Sequence, residues 1–446
     1  MDALSEKVIR EYREKNKKSA QIYERAQDSL EGGITRTSTY FQPFPVYIER
    51  GDGCRLYDVD GNARIDFLSN YTSMIHGYNH PKITEAVLQQ VWRGSCFGAP
   101  TEQEVRLAEL IVSRVKSIER IRFASSGSEA VMFALRLAQG FTGRNKIAKI
   151  EGGFHGSYDY ALMSMHPPLD LAGPPTSPAV IPDAVGISPA IAEQMVILPF
   201  NDQESAERLI LQNKRELAGV LVEPIMGAAG VIPAKREYLQ FLREITRQYG
   251  ILLICDEIIS FRVHPGGAQE MYGIHPDLTT LGKIISGGYP VAAFGGREDI
   301  MALMDPRGGS PKIPHSGTFN GTPVGMAAGL AAMEALTPEA IDRINRMGET
   351  LRALITETFK KRGVPAQVTG VGSLFNLHFS EEEILDYRAV QRGDMEKRNR
   401  LFFSLLNRGL FLASRGLGCL STPMTEEHLE RFNATLNDAL AEDLGY

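Results

Sequence analysis

Residues 251–256 read Ile251-Leu252-Leu253-Ile254-Cys255-Asp256, five apolar side chains running straight into a carboxylate. A short unbroken apolar run fits a β-strand covered on both faces, the situation of a parallel sheet with helices above and below it. Runs of the same kind recur at Ile121-Arg122-Phe123-Ala124, Lys146-Ile147-Ala148-Lys149-Ile150 and Ala218-Gly219-Val220-Leu221-Val222, with longer helical stretches between them. This alternation predicts an α/β fold, with a large domain over residues 81–337 built on a mostly parallel sheet flanked by helices. Ligands of such sheets bind at the carboxyl ends of the strands. Asp256 would therefore stand where a buried strand emerges into a binding crevice.

The flanks differ in pattern. Val8, Ile9, Tyr12, Ile22, Tyr23 and Ala26 stand among charges at roughly helical spacing, predicting an amphipathic N-terminal helix that ends by Gly32-Gly33. Val46-Tyr47-Ile48, Arg55-Leu56-Tyr57 and Arg64-Ile65-Asp66-Phe67 read as short strands separated by the turn signals Gly51-Asp52-Gly53 and Asp60-Gly61. Helices and a few strands, among them Ser373-Leu374-Phe375-Asn376-Leu377, follow from about Pro338. Residues 1–80 and 338–446 are thus expected to form a smaller α+β lobe from both chain ends. The stretch 161–190, dense in Pro and Gly, is too long for a simple turn and reads as a loop near the site.

Bulk properties narrow the function. The chain has 446 residues, a formal net charge of −6 and a pI near 5.9, which leaves no basic face for nucleic acid. Its four cysteines, Cys54, Cys96, Cys255 and Cys419, form no CxxC or Cys/His spacing, so neither a disulfide framework nor a metal site is expected. Residues 1–18 carry no signal-type apolar core and no later run has membrane length, so a cytoplasmic enzyme of small-molecule chemistry, with no membrane partner, is the expectation.

Three elements carry that chemistry. Ala124-Ser125-Ser126-Gly127-Ser128-Glu129-Ala130 lies at a strand end and helix start, and Ser126 with Glu129 fits a capping box. Free amides and the positive end of the helix dipole would face a phosphate there, although the same residues serve a plain helix cap. No GxxxxGK[ST] occurs, which counts against a nucleotide triphosphatase. Asp256, costly to bury alone, would be compensated by a protonated pyridine nitrogen or by an arginine. Lys283, in Leu281-Gly282-Lys283-Ile284-Ile285-Ser286-Gly287-Gly288, is either a solvated surface group or a partly desolvated nucleophilic amine. An amine together with a carboxylate that keeps a pyridine nitrogen protonated is what pyridoxal phosphate (PLP) requires of a protein.

Taken with Gly77-Tyr78-Asn79-His80-Pro81, Gly153-Phe154-His155-Gly156, Glu223-Pro224, Asp256-Glu257 and Gly317-Thr318-Phe319-Asn320-Gly321, these elements resemble, over nearly the whole chain, the fold-type I, class III aminotransferases. The similarity is to the branch of glutamate-1-semialdehyde 2,1-aminomutase and the β-amino-acid (β-phenylalanine) aminotransferases. It implies a seven-stranded-type sheet, Lys283 as the Schiff-base lysine and proton shuttle, and Asp256 as the pyridinium partner. Ile259 and Phe154 would cover the two ring faces, Ser126, Gly127 and Ser128 would form the phosphate cup, and Glu223 would lie behind the cofactor. Thr318 matches a threonine that reaches the phosphate from the neighbouring subunit, which implies a homodimer with shared active sites.

The resemblance leaves the subfamily less sharp. An aminomutase would carry an asparagine after the glycine of Glu223-Pro224-Ile225-Met226-Gly227, where this chain has Ala228, and a glutamate in the C-terminal segment, which here reads Leu412-Ala413-Ser414-Arg415-Gly416. Arg415 and Arg36 suit carboxylates, Arg36 falling where relatives place a substrate-binding arginine, and Tyr71 could border a side-chain pocket. The expected activity is transfer of an amino group from a β-amino acid, an aromatic one, to pyruvate or 2-oxoglutarate. The aminomutase is the alternative within the enzymes. A PLP-binding protein without turnover and a phosphate-binding scaffold are the alternatives outside them.

Overall fold

A computed structural model describes residues 3–446, which fold as two compact units. One comprises residues 81–343 with 383–391, and the other, of the described residues, 3–80, 344–382 and 392–446.

The larger unit is built on seven strands: β1 (Arg120–Ala124), β2 (Lys146–Ile150), β3 (Met195–Leu198), β4 (Leu217–Val222), β5 (Leu252–Asp256), β6 (Leu278–Leu281) and β7 (Ala292–Gly296). They lie in the order β1-β7-β6-β5-β4-β2-β3, all parallel except β7, which is antiparallel to both its neighbours. The mostly parallel sheet of the sequence reading is therefore present, with helices supplying its cover. The helix Gly127–Thr142 follows β1 and buries Val131, Phe133, Ala134, Leu137 and Ala138 among Ile147, Leu221, Ile254 and Phe294 of the strands. Strands β6 and β7 escaped the sequence reading because Thr279, Thr280, Gly295 and Gly296 break the apolar runs. They are held by ladder bonds across the sheet instead.

The smaller unit packs the helix Glu426–Asp443 over a core of Phe67, Phe375, Leu405, Phe432 and Leu436. The expected N-terminal helix is two helices, Ala3–Lys15 and Lys17–Ala26. The break falls at Asn16, whose buried side chain bonds the Tyr12 carbonyl and accepts from Arg64. Asp60 then accepts the N–H groups of Lys18 at 2.6 Å and Ser19 at 3.0 Å, capping the second helix from outside its own sequence. Among the described residues no helix is long and apolar enough to cross a membrane.

Residues 383–391 sit with the larger unit, to which a buried ion pair ties them. Arg388 donates to both carboxylate oxygens of Glu151 at 2.8 Å, and also to the carbonyls of Ala172 and Gly173. Tyr387 packs on Gly152, where a Cβ would lie 2.4 Å from it. The 161–190 stretch is thereby fastened beside the Gly152-Gly153 turn, whose Gly152 N–H donates to Ser164 O at 2.8 Å. Removing one partner of a buried pair strands the other's charge, so Arg388→Ala should cost about 3–5 kcal/mol, measured by chemical unfolding. Arg392→Ala, which removes an exposed pair with Glu382, should cost no more than about 1 kcal/mol.

Candidate active site

At the carboxyl ends of β4, β5 and β6 a cavity of about 200 Å³ is lined by Gly127, Ser128, Phe154, His155, Gly156, Glu223, Asp256, Ile258, Ile259 and Lys283. Seven of the residues singled out in the sequence thus share one cavity: Gly127, Ser128, Phe154, Glu223, Asp256, Ile259 and Lys283.

Asp256, the last residue of β5, is buried, and each of its oxygens has a role. Oδ1 accepts from Thr280 Oγ1 at 3.0 Å and from the Ile258 N–H at 3.1 Å, while Oδ2 lies 2.7 Å from His155 Nδ1. Burial pushes the His155 imidazole down, against the pull of Asp256, so a neutral ring donating from Nδ1 is the arrangement that suits both. His155 Nε2 is buried with no hydrogen-bond partner. The sequence assigns no role to either partner: His155 lies within Gly153-Phe154-His155-Gly156, whereas Thr280 carries no signal at all.

Lys283 follows the end of β6 after Gly282 and has φ +48°. A lysine in the left-handed region is strained, by about 1–2 kcal/mol, and such strain concentrates where a side chain must be aimed. Glu223 lies beside it, accepting the N–H groups of Phe154 at 2.9 Å and Gly227 at 3.0 Å. Burial, and then the charge of Asp256, push the Glu223 carboxyl up to about 8, while those two N–H groups and Lys283 pull the other way. Gly227 allows Ile259 to lie close, since a Cβ there would meet its side chain at 2.4 Å.

Below the cavity, the fully buried Lys149 gives its Nζ to the carbonyls of Gly153 at 2.9 Å and Met163 at 2.6 Å. Desolvation lowers its amine to about 8. It fixes the turn that carries Phe154 and His155, a role that its place in an apolar run did not signal.

Ser126 stands at the helix start but off the cavity wall. Its hydroxyl accepts from Glu129 N–H at 3.3 Å, as the expected box requires, while the Glu129 carboxylate turns back to the N–H of Ser125 rather than of Ser126, so only the reciprocal bond is displaced by one residue. The amides of Gly127 and Ser128 remain at the wall. A Cβ on Gly156 would come 2.3 Å from Ser128 Oγ, so only glycine permits that approach. Thr318 is exposed and off this wall, in a loop tied beside the helix start by Asn320, which accepts from Ser125 Oγ at 2.8 Å.

Arg36, Tyr71 and Arg415 belong to the smaller unit, where they meet one another. The guanidinium carbons of Arg36 and Arg415 lie 5.6 Å and 5.3 Å from the centroid of the Tyr71 ring. Burial pushes the Tyr71 phenol up, against the two arginine charges.

The sequence model of the class-III aminotransferases matches residues 37–431. The chain belongs to the class-III aminotransferase family. Glutamate-1-semialdehyde 2,1-aminomutase of Methanothermobacter thermautotrophicus is 40% identical to this class-III chain, covering 95% of it and 98% of the relative. An omega-transaminase from Sphaerobacter thermophilus superposes with a TM-score of 0.93 at 46% identity, covering 96% of this chain and 98% of that one. A transaminase solved with PLP bound gives 0.90 at 38% identity, over 96% and 98% of the two chains. A β-phenylalanine aminotransferase from Variovorax paradoxus gives 0.89 at 37% identity, over 98% and 97%.

The Glu223 carboxyl offers a test on cofactor-free protein. Its value in the folded chain lies above that of an exposed glutamate, so the folded state holds an extra proton between about 4.5 and about 8, and stability falls as pH rises through that window. Glu223→Gln loses one acceptor at every pH but removes this slope. Its melting temperature relative to the unaltered protein should therefore rise between about pH 5 and about pH 8.5; a pH-independent difference would contradict the assignment.

Proposed function

We propose that this PLP-dependent enzyme transfers the amino group of a β-amino acid, best an aromatic one, to a keto acid such as pyruvate or 2-oxoglutarate. What carries this reading is the meeting of Arg36 and Arg415 over Tyr71, a doubly cationic, partly aromatic surface suited to a substrate that is both acid and arene.

The residues of the cavity fit the cofactor. The helix-start amides of Gly127 and Ser128 suit its phosphate, Asp256 its ring nitrogen, Phe154 and Ile259 its two faces, and Lys283 its aldehyde carbon. When bound, PLP supplies a carbonyl that takes up amino groups and a ring that accepts electrons from the carbon bearing nitrogen. The protein's part is positional and electrostatic. His155 and Thr280 orient the Asp256 carboxylate, Glu223 holds the Phe154 backbone, and the Lys283 amine takes the proton from the donor carbon and returns it. In a β-amino acid that carbon lies one atom farther from the carboxylate than in an α-amino acid, so where the acid is held decides which proton of the donor is removed.

A homodimer is part of the proposal. Leu88, Val91, Trp92, Phe97 and Val105 form an exposed apolar set, with Trp92 at 89% of its full exposure, and such surface suits a second copy of the chain. The exposed Thr318 would then be available to the partner's cofactor.

A second reading, the aminomutase, is favoured by the name of the curated relative at 40% identity. The two readings separate on substrate. The transaminase reading predicts that a β-amino acid converts the cofactor to its aminated form, seen as loss of its visible absorbance, and that a keto acid restores it. The aminomutase reading predicts that glutamate 1-semialdehyde alone yields 5-aminolevulinate. Arg415→Ala should lower kcat/KM for a β-amino acid by about 10- to 100-fold, the worth of a charge-assisted bidentate contact, and should lower it far less for an amine lacking the carboxylate. Equal losses for both would remove the role of Arg415.

A further inference from the structure

Tyr71 is carried by an unusual piece of backbone. Four consecutive residues without a glycine, Ser69, Asn70, Tyr71 and Thr72, have φ values of +50°, +47°, +54° and +73°. Each Cβ is crowded by its own carbonyl in this left-handed region, so such a turn persists only where its surroundings enforce it. Asp66, buried at the end of the strand Ala63–Asp66, bonds the start of this turn. Its Oδ1 accepts the N–H groups of Leu68 at 2.8 Å and Ser69 at 2.9 Å, and its Oδ2 accepts the Tyr78 hydroxyl at 2.6 Å. At the far side of the turn the Tyr71 hydroxyl donates to the Ser38 carbonyl, and Asn70 Oδ1 accepts from Arg36 at 2.7 Å.

We propose that Asp66 is a positioning residue for carboxylate recognition: by pinning the left-handed turn it sets the Tyr71 ring against the guanidiniums of Arg36 and Arg415. The ring attracts both guanidiniums without itself neutralising them, being aromatic and uncharged. Two like charges are thereby kept at one ring, and the spacing of the acid groups they accept follows from the turn that places it. This rests on the carboxylate role proposed above for the two arginines.

The test compares 3-amino-3-phenylpropanoate with 1-phenylpropylamine, nearly the same skeleton without the acid, on PLP-loaded protein, and reads the ratio of their kcat/KM values. Asp66→Ala should lower that ratio roughly tenfold or more, whereas Asp66→Asn, whose amide oxygen still accepts the two N–H groups, should keep it within about threefold. Adding Ser69→Gly to the alanine variant should restore part of the ratio, because glycine takes positive φ without the Cβ penalty. Should Asp66→Ala fail to fold, Tyr71→Leu should lower the ratio and Tyr71→Phe should keep it. Equal losses for both substrates in Asp66→Ala, or an unchanged ratio in Tyr71→Leu, overturn the proposal. An unaltered enzyme with no preference for the acid overturns it together with the β-amino-acid reading, whereas a strong preference that survives these variants overturns the role of Asp66 and its turn alone.

Discussion

The carboxylate of Asp256 is the constraint to which the larger unit is fitted. A buried carboxylate at a strand end is unfavourable unless hydrogen-bonded, and three donors from three places meet that need. Thr280 comes from β6, Ile258 from the turn after β5, and His155 from the segment after β2. Parallel register brings these places together, since Asp256 pairs with Thr280 across the β5–β6 ladder. The sheet order is thus what turns residues far apart in the chain into one site.

Around that carboxylate, strain and burial are placed in the service of aim. Lys283 takes a left-handed backbone directly after its strand, and Lys149 is buried whole to hold two carbonyls of the turn that carries His155. The smaller unit repeats the device, with Asp66 holding the turn that bears Tyr71. For Lys149 and Asp66 alike, a polar group that would weaken a purely structural core is satisfied by backbone atoms whose position matters to the site.

Much of this was legible in the sequence. The apolar run of residues 251–255 predicted its strand because both faces of the sheet are covered, and the carboxylate after it predicted a site because ligands lie at strand ends. The glycine-rich turn after Lys283 and the capped helix start at Ser126 were equally readable, the first from residues without a Cβ and the second from the Ser126–Glu129 spacing. Strands β6 and β7 were not, because their threonines and glycines are stabilised by neighbours across the sheet rather than by local preference. His155, Lys149 and Thr280 owe their roles to pairings across the sheet and between loops, and a short linear pattern does not contain those. The helix break at Asn16 depends on Asp60 and Arg64, which no reading of helical periodicity includes.

The account stands on the Lys283 amine being the group that bonds the cofactor. Borohydride reduction of the PLP-loaded protein, followed by proteolysis and mass spectrometry, reads this directly. The account predicts a single phosphopyridoxyl-labelled lysine, Lys283. Label on Lys149 or any other lysine, or none at all, would contradict it.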